Sequence, residues 1–152
     1  VVLALIVAIA VAACGSALTR HDYVLRAEGI CNSTLRSLRL LEQPTLSGSA
    51  GARTASLSRY LDRAVPLIQA QLSKLKQLPD PLQTQGQSRA LRRYLGALQI
   101  TVEELRDLAA AARGGNAQLV DADQKTLAAG STSALAASYG LHACSNPGAG
   151  YS

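Results

Sequence analysis

Four aliphatic stripes at helical spacing, each closed by proline or glycine, constrain this chain more than any other feature it carries. From Asp22 to about Leu41, Val24, Ala27, Cys31, Leu35 and Leu38 recur at three and four residues, which places them on one helix face. Thr19 or Asp22 can cap that helix, and Pro44 with the Ser and Gly residues from Ser47 to Gly51 breaks the chain after it. A second stripe runs through Leu57, Leu61, Ala64, Ile68, Leu72 and Leu75 and stops at Pro79-Asp80-Pro81. Pro66 sits inside it. A kink is expected rather than a split, because the apolar phase persists on both sides. The third stripe is Leu91, Leu95, Leu98, Val102, Leu105 and Leu108, with a stop at Gly114-Gly115-Asn116. The fourth is weaker: Val120, Gln124, Leu127, Ser131, Ala134 and Ser138, ended by a left-handed cap at Gly140 with Leu141 packing behind it.

Four amphipathic segments with short connections predict an all-α fold, an antiparallel up-down four-helix bundle. No stretch alternates as a half-buried strand does. The chain has no Phe, Trp or Met and only five Tyr, so its core must come from Leu, Val, Ile and Ala. Such a core is expected to pack closely. Tyr60, Tyr94 and Tyr139 lie beside the stripes, where core packing accounts for them.

Val1 to Ala13 is an unbroken run of Val, Leu, Ile and Ala. A spanning helix needs about 20 apolar residues, and a run of about 10 to 14 reads as the core of an export signal. The positively charged segment that normally precedes such a core is missing from the run. Val11, Ala12, Ala13 and Cys14 resemble the bacterial lipobox: an aliphatic residue, two small residues and a cysteine directly after the apolar core. By that resemblance Cys14 carries a thioether-linked diacylglycerol and the signal is cleaved after Ala13. The alternative is a small apolar residue in a signal or buried helix. Acyl chains contribute about 0.8 kcal/mol per buried methylene, and two of them hold a protein on a membrane durably.

With Cys14 lipidated, Cys31 and Cys144 remain as a pair in an oxidising compartment, and a disulfide is the natural inference, against two separate buried thiols. Cys31 lies about 13 Å along the first helix at 1.5 Å per residue, and the tail from Gly140 to Cys144 is long enough to fold back to it. Tyr23-Val24, Ile30-Cys31, Leu78 to Pro81 and Tyr139 to Cys144 together resemble a loose group of small helical exported proteins of actinobacteria. That resemblance covers most of the domain. It implies the fold and a disulfide, and no activity.

The boundaries that follow are a signal segment at 1–13, a lipidated tether at 14–21, the bundle at 22–145 and a C-terminal tail at 146–152. The net charge of +5 comes from cations dispersed along the sequence. With no aromatic platform for stacking bases, nucleic-acid binding is not expected. Arg20 and Arg26 lie near the proposed anchor and favour anionic headgroups. Arg89, Arg92 and Arg93 fall within one helical turn and are candidate contacts for an anion, or simply a solvated face.

Chemistry is sparse. His21, His142 and Asp22 can be drawn as a metal site, but lone histidines near termini are ordinarily exposed, so no metal and no cofactor is expected. Glu103, Glu104 and Asp107 read as solvating charges, and no Glu-x-x-His pair of the di-iron type is present. No Gly-x-Ser-x-Gly or Ser-x-x-Lys signature orders a nucleophile, so an enzyme is not expected. The expected function is a lipid-anchored module on the extracytoplasmic face of the cell membrane, touching an envelope protein or cell-wall component through its exposed helix faces. The alternative is a carrier of an apolar ligand or lipid inside the bundle.

Overall fold

A computed structural model describes residues 17–45 and 47–145. The apolar run at 1–13, Cys14 and the tail at 146–152 lie outside the described residues. Among these residues the chain is helical throughout: α1 Arg20–Arg39, α2 Ala50–Gln77, α3 Gln85–Arg113, α4 Ala117–Ala129 and α5 Thr132–Tyr139. The four expected segments are present, with the fourth broken into α4 and α5.

Each helix start has a local cause. Thr19 is the α1 cap, its hydroxyl accepting from the Asp22 amide, so the helix begins two residues before Asp22, inside the stretch expected to be a tether. Leu18, placed in the tether, is already buried in the core. Ser49 caps α2. Thr84 and Gln87 form a reciprocal capping box on α3, which satisfies two otherwise orphaned amides. Asn116 caps α4.

Pro66 leaves α2 unbroken, and its ring is on the exposed side. The stripe therefore continues across it, with Leu61 and Ala64 buried on one side and Leu72 and Leu75 on the other. The fourth stripe behaves differently. Val120 is buried and Leu127 half-buried, but Gly130 adopts an extended conformation (φ −63°, ψ 146°) and ends α4. The helical phase is reset there, so Ser131, Ala134 and Ser138 are exposed while Ala136 and Tyr139 turn inward. At the end of α5, Gly140 takes φ +97°, the Leu141 amide donates to the Ala136 carbonyl, and Leu141 is fully buried. This is the left-handed cap with its hydrophobic contact.

α1 packs on α2 and α2 on α3 in the up-down order, with α2 against α3 as the broadest contact, and α4 and α5 both pack on α3. The core divides in two. The larger part surrounds Tyr23, Cys31, Leu75, Tyr94, Tyr139 and Leu141; the smaller joins Leu61, Val65, Leu108, Ala112 and Val120 at the far end. Tyr23 was not legible as a core residue, because it sits one position off the Val24 stripe. A disulfide links Cys31 to Cys144, with Cα atoms 5.2 Å apart.

Candidate functional site

One seam of the bundle is not closed. In a square four-helix bundle the first and last helices meet, yet α1 makes no close backbone approach to α4 among the described residues, and α4 only brushes α2 across the diagonal. Between them lies an apolar cavity of about 840 Å3, walled by Leu35 and Leu38 of α1, Leu57 and Ile68 of α2, Leu105 of α3 and Leu127 of α4. Its α2 wall extends from Ala50 to Gln71, about 31 Å at 1.5 Å per residue. The space is therefore a slot rather than a sphere. The expectation of a closely packed aliphatic core fails here, because short α4 and the Gly130 break leave the fourth corner underfilled. The volume lies within the range of about 300 to 1,000 Å3 typical of ligand pockets.

Polar groups are few but spread along the slot, with the half-buried Tyr60 near the middle of its α2 wall. At the end near the α1–α2 loop are Thr45, Arg53, Asp121 and Gln124. Arg53 donates to the Gly48 carbonyl at 3.2 Å, and the Thr45 amide donates to the Ser56 hydroxyl at 2.9 Å, which fastens the loop to α2. At the other end the Thr101 and Thr132 hydroxyls share a hydrogen bond of 2.9 Å, and Gln71 lines the wall while being 9% exposed. Behind Gln71, the Tyr94 hydroxyl is buried with no hydrogen bond of ordinary geometry, although it feels the Gln71 side chain. Burial, with smaller contributions from Tyr23 and Glu28 and against the pull of Gln71, holds the Tyr94 phenol well above its ordinary pKa, so it stays neutral.

The disulfide end of the slot is rigidly built. Both Glu28 carboxylate oxygens accept from the Ala143 amide, at 3.0 and 2.9 Å, and Ala143 and Cys144 form the rim. Above them, Arg20 donates to the Tyr139 carbonyl and lies 5.0 Å from the Tyr139 ring centre, whose edge meets Tyr23 at 6.1 Å. The Tyr139 hydroxyl donates to Gln83 at 2.6 Å. Burial pushes the Tyr23 phenol up to about 12, with Tyr139 and Asp80 adding to the shift. Burial raises Tyr139 as well, and Arg20 and Gln83 moderate it.

Arg89, Arg92 and Arg93 are all exposed on the first turns of α3, outside the slot. His21 and His142 are exposed, and among the described residues no group of three His, Cys, Asp or Glu is placed to hold a metal. The Thr19 hydroxyl keeps the neighbouring Asp22 carboxyl below its usual range. No described helix is long and apolar enough to cross a membrane. No family model, curated protein or solved structure matches the chain.

The slot was not legible in the stripes. Periodicity reports which face of a helix is apolar, and Leu57, Leu61, Ala64, Ile68, Leu98 and Leu105 of the slot wall obey it. Whether two faces actually meet depends on the spacing of helices that are not neighbours in sequence.

Proposed function

We propose that this chain is a lipid-tethered carrier on the extracytoplasmic face of the cell membrane, holding an elongated, largely apolar molecule in the slot between α1 and α4. The observation that carries this reading is the slot itself: a wall about 31 Å long, mostly aliphatic, with a few hydrogen-bonding groups set into it. Apolar walls supply affinity by area removed from water, at about 25 cal/mol per Å2, and a few fixed polar groups set orientation. A single-chain lipid or similar molecule has the matching shape. The tether comes from the lipobox resemblance at Val11 to Cys14. The function expected from sequence, a module that only contacts an envelope protein or cell-wall component, rests on exposed helix faces and leaves the slot without a purpose.

Native mass spectrometry of the full chain extracted from host membranes in mild detergent tests both parts. A diacylglyceryl mass on Cys14 supports the tether, and Cys14→Ala should then accumulate as an unlipidated precursor. A reproducible noncovalent adduct supports the carrier. Leu105→Trp and Leu127→Trp, which enlarge two half-buried slot walls, should remove the adduct and the uptake of a fluorescent fatty acid while leaving the helical circular-dichroism signal intact. A wild-type protein that carries no adduct and takes up no fluorescent fatty acid would refute the carrier reading and leave the contact module standing.

A further inference from the structure

The charges that look dispersed in sequence are not dispersed in space. The up-down topology collects the start of α1, the end of α2 and the start of α3 at one end of the bundle. Arg26 lies there with Lys74, Lys76, Arg89, Arg92 and Arg93, beside Arg20, and the acids placed at the same end by the helix bounds are Asp22, Glu28 and Asp80. Glu28 is occupied by the Ala143 amide and Arg20 by Tyr139. This half of the molecule holds four of the five net positive charges, whereas cations and acids nearly balance at the opposite end. Apart from Arg20, the six cations, among them Lys76, which donates to Gln99 at 2.6 Å, lie within about 12 Å of their helix ends at 1.5 Å per residue, on the order of the screening length of about 8 Å in physiological salt.

Two further features coincide with that end. The chain enters the bundle there through Ala17 to Thr19, and the Leu18 carbonyl accepts from the Leu82 amide at 2.7 Å. Leu82, at the tip of the α2–α3 connection, is nevertheless 67% exposed. An exposed leucine pinned by its backbone next to the point of chain entry, at the end of the bundle that gathers the cations, has the chemistry of an interfacial contact: an apolar tip for the acyl boundary and positive charge for headgroup phosphates. Leu40 is more exposed still, at 88%, but it stands at the opposite end, where charge is balanced.

We infer that this basic end, with Leu82 at its tip, docks end-on to an anionic phospholipid surface. The long axis of the bundle then stands away from the membrane, and the loop-side opening of the slot faces outward. The orientation rests on the tethered reading for its local geometry, but the surface acts whether or not the tether is present.

The chain has no tryptophan, so single replacements report their own surroundings. The full chain bearing Leu82→Trp, and separately Leu40→Trp, is mixed with vesicles of phosphatidylcholine alone or with added phosphatidylglycerol, some carrying brominated acyl chains. The expected result is a blue-shifted, bromine-quenched emission for the Leu82→Trp chain on phosphatidylglycerol vesicles only, with the Leu40→Trp chain unchanged. Each cation near such a surface contributes about fivefold, so Arg89→Gln, Arg92→Gln and Arg93→Gln together should lower the docked fraction by up to about 100-fold, as should high salt. Flotation separates this inference from the tether. Flotation with both vesicle types without any change at Leu82→Trp overturns the docking and leaves the tether, and flotation with phosphatidylglycerol vesicles alone supports the docking and speaks against the tether. Equal quenching of both tryptophans, or a Leu82→Trp response to a soluble polyanion but not to vesicles, overturns the docking.

Discussion

Reducing the Cys31–Cys144 bond should cost this domain a large part of its stability, and the size of the effect follows from where the bond lies. The two cysteines are 113 residues apart, so the crosslink closes almost the whole described chain into one loop. In the chain-entropy model that closure restricts the unfolded state by about 4.8 kcal/mol at room temperature. The native state is little altered by reduction, because the tail keeps the Glu28–Ala143 hydrogen bonds and the burial of Leu141. For a domain of this size, about 4.8 kcal/mol corresponds to a fall in Tm of about 15 °C. Thermal melts followed by circular dichroism, with and without a phosphine reductant, give the wild-type difference. A Cys31→Ala variant supplies the control, since it lacks the bond under both conditions and its Tm should not respond to reductant. A wild-type loss below about 1 kcal/mol, or an equal fall in the variant, would refute the reasoning: the first by showing a denatured chain already compact, the second by placing the effect elsewhere.

Two further outcomes follow from the packing. Burial raises the folded-state phenol of Tyr23 to about 12 against 10 in the unfolded chain, so its contribution is fully present below pH 10 and is lost as pH rises from 10 through 12. Tyr23→Phe should flatten that alkaline decline by roughly one proton, about 1.4 kcal/mol per pH unit, in denaturant melts between pH 9 and 12; an unchanged slope would show that Tyr23 does not titrate with unfolding. Pro66→Ala should restore an amide donor inside α2 and raise the urea midpoint by the equivalent of about 1 to 3 kcal/mol, and a lower midpoint would mean that the proline's backbone shape is needed to pack α2 on its neighbours.

What could be read from sequence was whatever a single helix decides for itself. The phase of Leu91, Leu98 and Val102 and the stops at Pro79 and Gly140 are local, and they hold. Cys31 was legible as a core residue because it shares the phase of Ala27, and Cys144 as its partner because the tail is long enough to return. Tyr23 was missed because a tyrosine can reach the core from beside a stripe. The fourth stripe was drawn through Gly130, where the backbone has no side chain to hold the helical phase, and its second half faced the wrong way. The slot and the basic end were both invisible for the same reason: they depend on which distant residues the topology makes neighbours. Arg89 and Lys76 belong to different helices, and nothing in the spacing of either announces the other.

The position of the disulfide makes the unclosed seam asymmetric. Its upper margin is riveted by Cys31–Cys144 and the Glu28 clasp, whereas α4, held to the rest mainly by α3, is bounded by the turn at Gly115 and the extended Gly130. The bundle is thus built like a spring peg, with a fixed pivot at one end and one short jaw that can swing. In the proposed carrier, cargo would enter by deflecting α4 without unfolding anything else, and amide exchange faster in α4 than in α1 to α3 would be the mark of that motion.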